Sequence, residues 1–126
     1  MTGVQTCALP ISKFFGVFGN NDGERKGLLA VCKDIHEPPY DFILDGKHIM
    51  VTHMIESLSK RSIVNTDIIV SAHTHTPEIK QGSPMYINPG ECGGWLHDKS
   101  TVAILDVKTF HAEIIDLSTV SLGKGY

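Results

Sequence analysis

The chain lacks several features, and each absence excludes a class of protein. No stretch of its 126 residues approaches the ~20 consecutive apolar residues of a membrane span. The N-terminus has no basic segment leading into a long apolar core, so Met1–Ser12 does not read as a secretory signal. Cysteine is scarce: Cys7, Cys32 and Cys92 are odd in number and irregular in spacing, which excludes a disulfide framework and a Cys-type zinc site. Free thiols of this kind suit a reducing, cytoplasmic compartment. Basic residues do not dominate either, since 11 Lys and Arg against 14 Asp and Glu leave a net charge of −3. The chain therefore has no basic footprint for a nucleic acid or an anionic membrane. Hydrophobic residues at 41% and charged residues at 20% exclude a disordered chain. Repeats and low-complexity tracts are absent. What remains is one soluble domain with seven His and 12 Gly, both generous for its length.

The order of apolar runs and turn signals predicts a mixed α/β string with more strand than helix. Lys13–Phe18 reads as a buried strand opening into Gly19-Asn20-Asn21-Asp22-Gly23. Asp22 or Gly23 caps a helix over Glu24–Lys33, whose Leu28, Leu29, Val31 and Cys32 form one apolar face. Pro38-Pro39 stops it. Asp41–Leu44 and Lys47–Thr52 form a hairpin across Asp45-Gly46, which supplies the positive φ of a type I′ turn. Glu56–Val64 is expected to be one helix. Asp67–Ala72 is a continuous apolar run that suits a strand buried on both faces. Short strands follow at Glu78–Gln81 and Met85–Ile87, and Thr101–Asp106 pairs with Phe110–Leu117 across Val107–Thr109.

Polar residues collect where these strands end. Phe14–Phe18 delivers Asn20, Lys47–Thr52 delivers His53, and Asp67–Ala72 delivers His73 and His75. Sites in α/β sheets form outside the carboxyl ends of strands, so four N/O ligands from three strand ends can converge. On an extended loop the i, i+2 spacing turns both rings of His73 and His75 to one side. A mixed Asn/His set points to a borderline first-row cation used for hydrolysis. The plain alternative is a set of solvated loop histidines. His36, His48 and His111 lack a strand-end context and read as structural, while His97 follows a Gly-rich loop and stays open. Asn88-Pro89-Gly90 is a turn, or else a loop whose backbone N–H groups approach a phosphate. Asp22 and Glu24 are helix-start charges or acid/base groups.

In order, Gly19-Asn20-Asn21-Asp22, Val51-Thr52-His53, Ala72-His73-Thr74-His75 and Asn88-Pro89-Gly90 resemble the motifs of the calcineurin-like metallophosphoesterases, in the branch of small prokaryotic YfcE-like phosphodiesterases. The runs Gly19–Arg25 and Tyr86–Gly94 look like an archaeal-type subgroup. The resemblance covers about Lys13–Leu117. It implies a four-layer αββα sandwich and a site of two divalent cations, manganese first, with Ni, Zn, Fe or Mg as alternatives. Asn20, His53 and His73 would bind one metal and His75 the other. A hydroxide bridging the two ions would attack phosphorus in a small phosphate ester. Asp22 would be the acid or an orienting residue, because Asn21 stands where many relatives carry a His and cannot donate a proton. Ala72 replaces the usual Gly before His-Thr-His, and Met54 replaces the usual Gly after His53.

The same resemblance expects an Asp-x-His and a Gly-Asp ahead of Asn20, and neither is in this sequence. Residues 1–12 (MTGVQTCALPIS) instead resemble a translated sequencing-adapter leader. The expected organisation is a non-native leader at 1–12, the C-terminal part of the phosphoesterase domain at 13–117 without its N-terminal strands, and a tail at 118–126. Weak or absent turnover is expected, together with self-association of the chain into a homo-oligomer through an exposed sheet edge. The competing classes are a non-catalytic protein-interaction scaffold of the same fold and a domain holding one structural cation.

Overall fold

The computed structural model describes residues 14, 16–19, 25–94, 96 and 98–119. The suspected leader, Asn20, Asn21, Asp22, Trp95, His97 and most of the tail lie outside the described residues. The elements run β1 (Gly16–Val17), α1 (Arg25–Val31), β2 (Ile35–His36), β3 (Tyr40–Leu44), β4 (Lys47–Val51), a 3₁₀ turn (Ile55–Ser57), α2 (Lys60–Val64), β5 (Ile68–Val70), β6 (Glu78–Lys80), β7 (Met85–Asn88), β8 (Thr101–Asp106), β9 (His111–Asp116) and a 3₁₀ turn (Leu117–Thr119).

Five strands make the central sheet in the order β3-β4-β5-β7-β6. Its middle is parallel, with Ile49 opposite Ile68 and Ile68 opposite Met85. Antiparallel β3 and β6 close the two sides. Facing partners share one side of a pleated sheet, so Ile49, Ile68 and Met85 lie on one face, and Met50, Ile69 and Tyr86 lie on the other. The first face packs against the β8–β9 hairpin. Its core joins Ile49, Ile68, Met85 and Ile87 to Val107 and Ala112, with Leu105 and Phe110 against them. The second face is the helical side, where His48 reaches the carbonyl of Asn65 at the end of α2. Ile68 and Ile69 point opposite ways and are both 0% exposed, which bears out a β5 buried on both faces. Sheet on sheet with helical cover is the layered arrangement that the resemblance implies. Among the described residues, no helix is long and apolar enough to cross a membrane.

Three expectations need correction. The helix expected over Glu56–Val64 is interrupted, because Leu58 is extended and Ser59 starts α2 anew, its hydroxyl accepting from the Ser62 N–H. The helix expected over Glu24–Lys33 is described only as Arg25–Val31. None of its residues is buried: Leu28 is half-buried, but Leu29 and Val31 are exposed. Finally, Ile35–His36 is a strand that the sequence did not announce, parallel to Gly16–Val17. Two residues are too few to show a period.

Candidate functional site

Three neighbouring parallel strands end on the same side of the sheet. β4 leads through Thr52 to His53, β5 leads through Ser71-Ala72 to His73-Thr74-His75, and β7 ends at Asn88 before Pro89-Gly90-Glu91. The loops are stitched to one another as they leave. Thr52 N–H donates to Val70 O at 2.9 Å, Ala72 N–H to His53 O at 3.1 Å, and Ser71 N–H to Ile87 O at 2.9 Å. Asn88 then clamps the His-Thr-His loop: its Nδ2 donates to Ala72 O at 3.2 Å and to Thr74 Oγ1 at 3.0 Å.

His53 and His73 meet. His53 Nε2 and His73 Nδ1 are 3.0 Å apart, one ring's N–H donating to the other, and the ring planes stand at 79°. His75 does not join them. The loop is not extended, for His73 and His75 have φ of 70° and 61°, so two-residue alternation does not apply and the rings part. His75 Nδ1–H instead donates to Glu91 Oε2 at 2.6 Å. Among the described residues, no group of three His, Cys, Asp or Glu is arranged to hold a metal ion. Of the sequence-derived site residues, the structure thus brings His53 and His73 together and sets His75 apart on Glu91, while Asn20 and Asp22 lie outside the described residues.

Two cavities flank the pair. One of about 200 Å³ is lined by His53, Phe18, Arg25, Pro38 and Met54. Arg25 lies over the Phe18 ring and pairs with Glu37, which also lines that cavity. The other, about 80 Å³, is lined by His73, Thr74, Ser71, Tyr86 and Asn88. Met54, the departure from the usual Gly, is thus a wall of the His53 cavity.

Asn88-Pro89-Gly90 is a turn and not a phosphate cradle at its glycine. The Gly90 N–H donates to Asn88 Oδ1 at 3.0 Å, which commits that donor within the loop. Two of the histidines read as structural, His36 and His48, hold contacts within the fold. His36 stacks on Tyr40 with centroids 3.9 Å apart, and His48 bridges Asp41 and the Asn65 carbonyl. His111 begins β9 on the surface. Glu91 was missed as a site residue. Its one sequence signal is an acid directly after the turn that follows β7.

Comparison with known proteins identifies the family and the fold. The model of the calcineurin-like phosphoesterase superfamily domain matches residues 2–110. The chain belongs to the calcineurin-like phosphoesterase superfamily. A phosphodiesterase of Methanocaldococcus jannaschii is 34% identical over 116 residues, which is 82% of this chain and 69% of that protein. A solved structure described as a novel archaeal phosphodiesterase superposes with a TM-score of 0.68 at 28% identity, covering 80% of this chain and 67% of that one. A Vps29 single mutant from Entamoeba histolytica shares the fold with a TM-score of 0.52 at 15% identity, over 90% of this chain and 88% of its own.

Membership in this superfamily implies divalent cations. The described residues supply two imidazole nitrogens of the kind such a cation takes, at a spacing that one cation can span. Two imidazole nitrogens each ~2.0–2.1 Å from a common cation, at an angle between square and tetrahedral, stand about 3 Å apart. His53 Nε2 and His73 Nδ1 have that spacing.

Proposed function

We propose that the chain hydrolyses phosphate esters, phosphodiesters foremost, with two divalent cations, manganese first. The observation that carries this reading is the His53–His73 pair at 3.0 Å, at the ends of adjacent parallel strands and between two cavities. His53 and His73, with Asn20, hold one cation, and His75 the other. Bound there, the cations supply Lewis acidity toward a phosphoryl oxygen and toward water. The protein's own part is positional. Asn88 and the crossed backbone bonds fix where the two rings stand, and the cavity beside His53 receives the ester's organic group against Phe18, Pro38 and Met54. Asp22 is the candidate proton donor to the leaving group. With Asn21 beside Asn20, esters with good leaving groups are favoured. Cys32 and Cys92 are free thiols, which accords with a cytoplasmic setting.

Without an Asp-x-His or a Gly-Asp ahead of Asn20 to contribute a bridging carboxylate, turnover by this chain is expected to be weak. The test therefore reads binding as well as rate. Calorimetry with Mn²⁺ should show saturable binding that the double variant H53A/H73A loses. That loss should exceed the roughly 10–100-fold cost of removing an outer-shell partner. Hydrolysis of a chromogenic phosphodiester should follow Mn²⁺ occupancy. A wild-type chain that binds no divalent cation sinks the reading and leaves the interaction scaffold standing.

A further inference from the structure

Glu91 is a carboxylate with little access to water, its side chain 12% exposed, and both of its oxygens are engaged. Oε2 accepts from His75 Nδ1–H at 2.6 Å, and Oε1 accepts from the Leu96 N–H at 2.8 Å. Its carbonyl accepts from the Thr101 N–H at 3.1 Å, so the backbone at Glu91 is tied to the start of β8. The residue therefore has one place to be. An ionised carboxylate only accepts, so His75 must carry its proton on Nδ1, and the neutral ring then has its lone pair on Nε2. The two histidines of the motif thus present different atoms: His73 turns Nδ1 toward His53, and His75 is left with Nε2.

We infer that Glu91 is a positioning residue for cation binding: it locks the tautomer and the ring orientation of His75 so that Nε2 is the nitrogen offered to a divalent cation. This rests on the reading of His75 as a ligand given above. Metal-binding histidines commonly donate their second ring N–H to a carboxylate, which fixes the tautomer and raises the basicity of the ligating nitrogen. The left-handed backbone at His75 adds to the need for such an anchor, because the loop does not repeat the side-chain direction that a strand would impose.

The test uses the whole chain with ¹⁵N-labelled histidine rings. In the metal-free protein, long-range ¹H–¹⁵N spectra should show His75 as the Nδ1–H tautomer. E91A should give a tautomer mixture, and E91Q, whose one amide oxygen serves either His75 or the Leu96 N–H but not both, should partly lose the wild-type form. Calorimetry with Mn²⁺ should show the binding that H75A loses reduced by roughly 10–100-fold in E91A. In E91Q it should be reduced several-fold, by loss of the charge and of one acceptor oxygen. An unchanged tautomer in a folded E91A overturns the positioning role by itself. If E91A does not fold, Mn²⁺ binding by E91Q equal to wild type overturns it. A wild-type chain that shows the fixed tautomer yet binds no Mn²⁺ overturns the ligand reading of His75 on which the inference rests.

Discussion

A methyl group at position 90 would sit 2.1 Å from the Thr101 hydroxyl oxygen and 3.1 Å from two ring carbons of Pro77. Gly90 also has φ of +80°, a conformation that costs a residue with a Cβ roughly 1–2 kcal/mol. Thr101 is buried at 3% exposure and cannot swing away. Strain and overpacking together should make G90A less stable by about 2–4 kcal/mol. Urea unfolding checks this, and a loss below ~1 kcal/mol would contradict the close approach. The same scale shows what the sequence could and could not convey. The strand-end positions of His53, His73 and His75 were legible because strand-end placement is a rule about chain order. The turn at Asn88-Pro89-Gly90 was legible from its residue types. The clamp from Asn88 Nδ2 to Ala72 and Thr74 was not, since those partners lie 16 and 14 residues away. Glu91 was hidden for a similar reason: alone in a sequence, an acid after a turn looks like any solvated acid, and only the fold brings His75 to it.

Elements with strong local signals came out close to expectation. Asp45 and Gly46 have φ of 49° and 77°, the positive pair a type I′ turn requires, and β3 and β4 flank them in register. That register sets up an electrostatic contact. Asp41 pairs with Met50 and Ile43 with His48, so Asp41 and His48 are diagonal neighbours on one face. His48 Nε2 lies 2.9 Å from Asp41 Oδ2. The hydrogen bond to the Asp41 carboxylate raises the His48 pKa above 6.5, assisted by its bond to the Asn65 carbonyl. A raised folded-state pKa means that folding favours the protonated ring. The contribution is therefore complete below the unfolded pKa of about 6.5 and fades as pH rises through the higher folded value. Denaturation of wild type and D41A at pH 5.5 and pH 8.5 should show the larger stability gap at the lower pH. An equal or larger gap at pH 8.5 would contradict the pairing. The helices were less legible. A Ser beginning α2 is a cap signal that the apolar pattern over Glu56–Val64 masked.

At the scale of the molecule, the apolar runs indicated which residues are buried but not what buries them. Thr101–Asp106 and Phe110–Leu117 were expected to pair as a hairpin, and only the structure shows that hairpin closing over Ile49, Ile68, Met85 and Ile87. A sandwich built this way holds its site at one end, where loops after β4, β5 and β7 meet. His53 and His73 belong to loops joined by main-chain bonds, and their rings meet at 3.0 Å. A cation taken up by that pair ties two loops whose positions define the end of the sheet. It should therefore bind the folded chain and not the unfolded one, and stabilise it by mass action. At a free Mn²⁺ concentration 100 times the dissociation constant the gain is about 2.7 kcal/mol. In a chain of this size, each kcal/mol moves the midpoint by about 4 °C, so thermal unfolding should shift upward by roughly 10 °C. Excess chelator should reverse the shift, and H53A/H73A should show none of it. A rise of equal size in that variant would place the stabilising cation elsewhere on the molecule, and the His53–His73 contact would then be an ordinary hydrogen bond between loops.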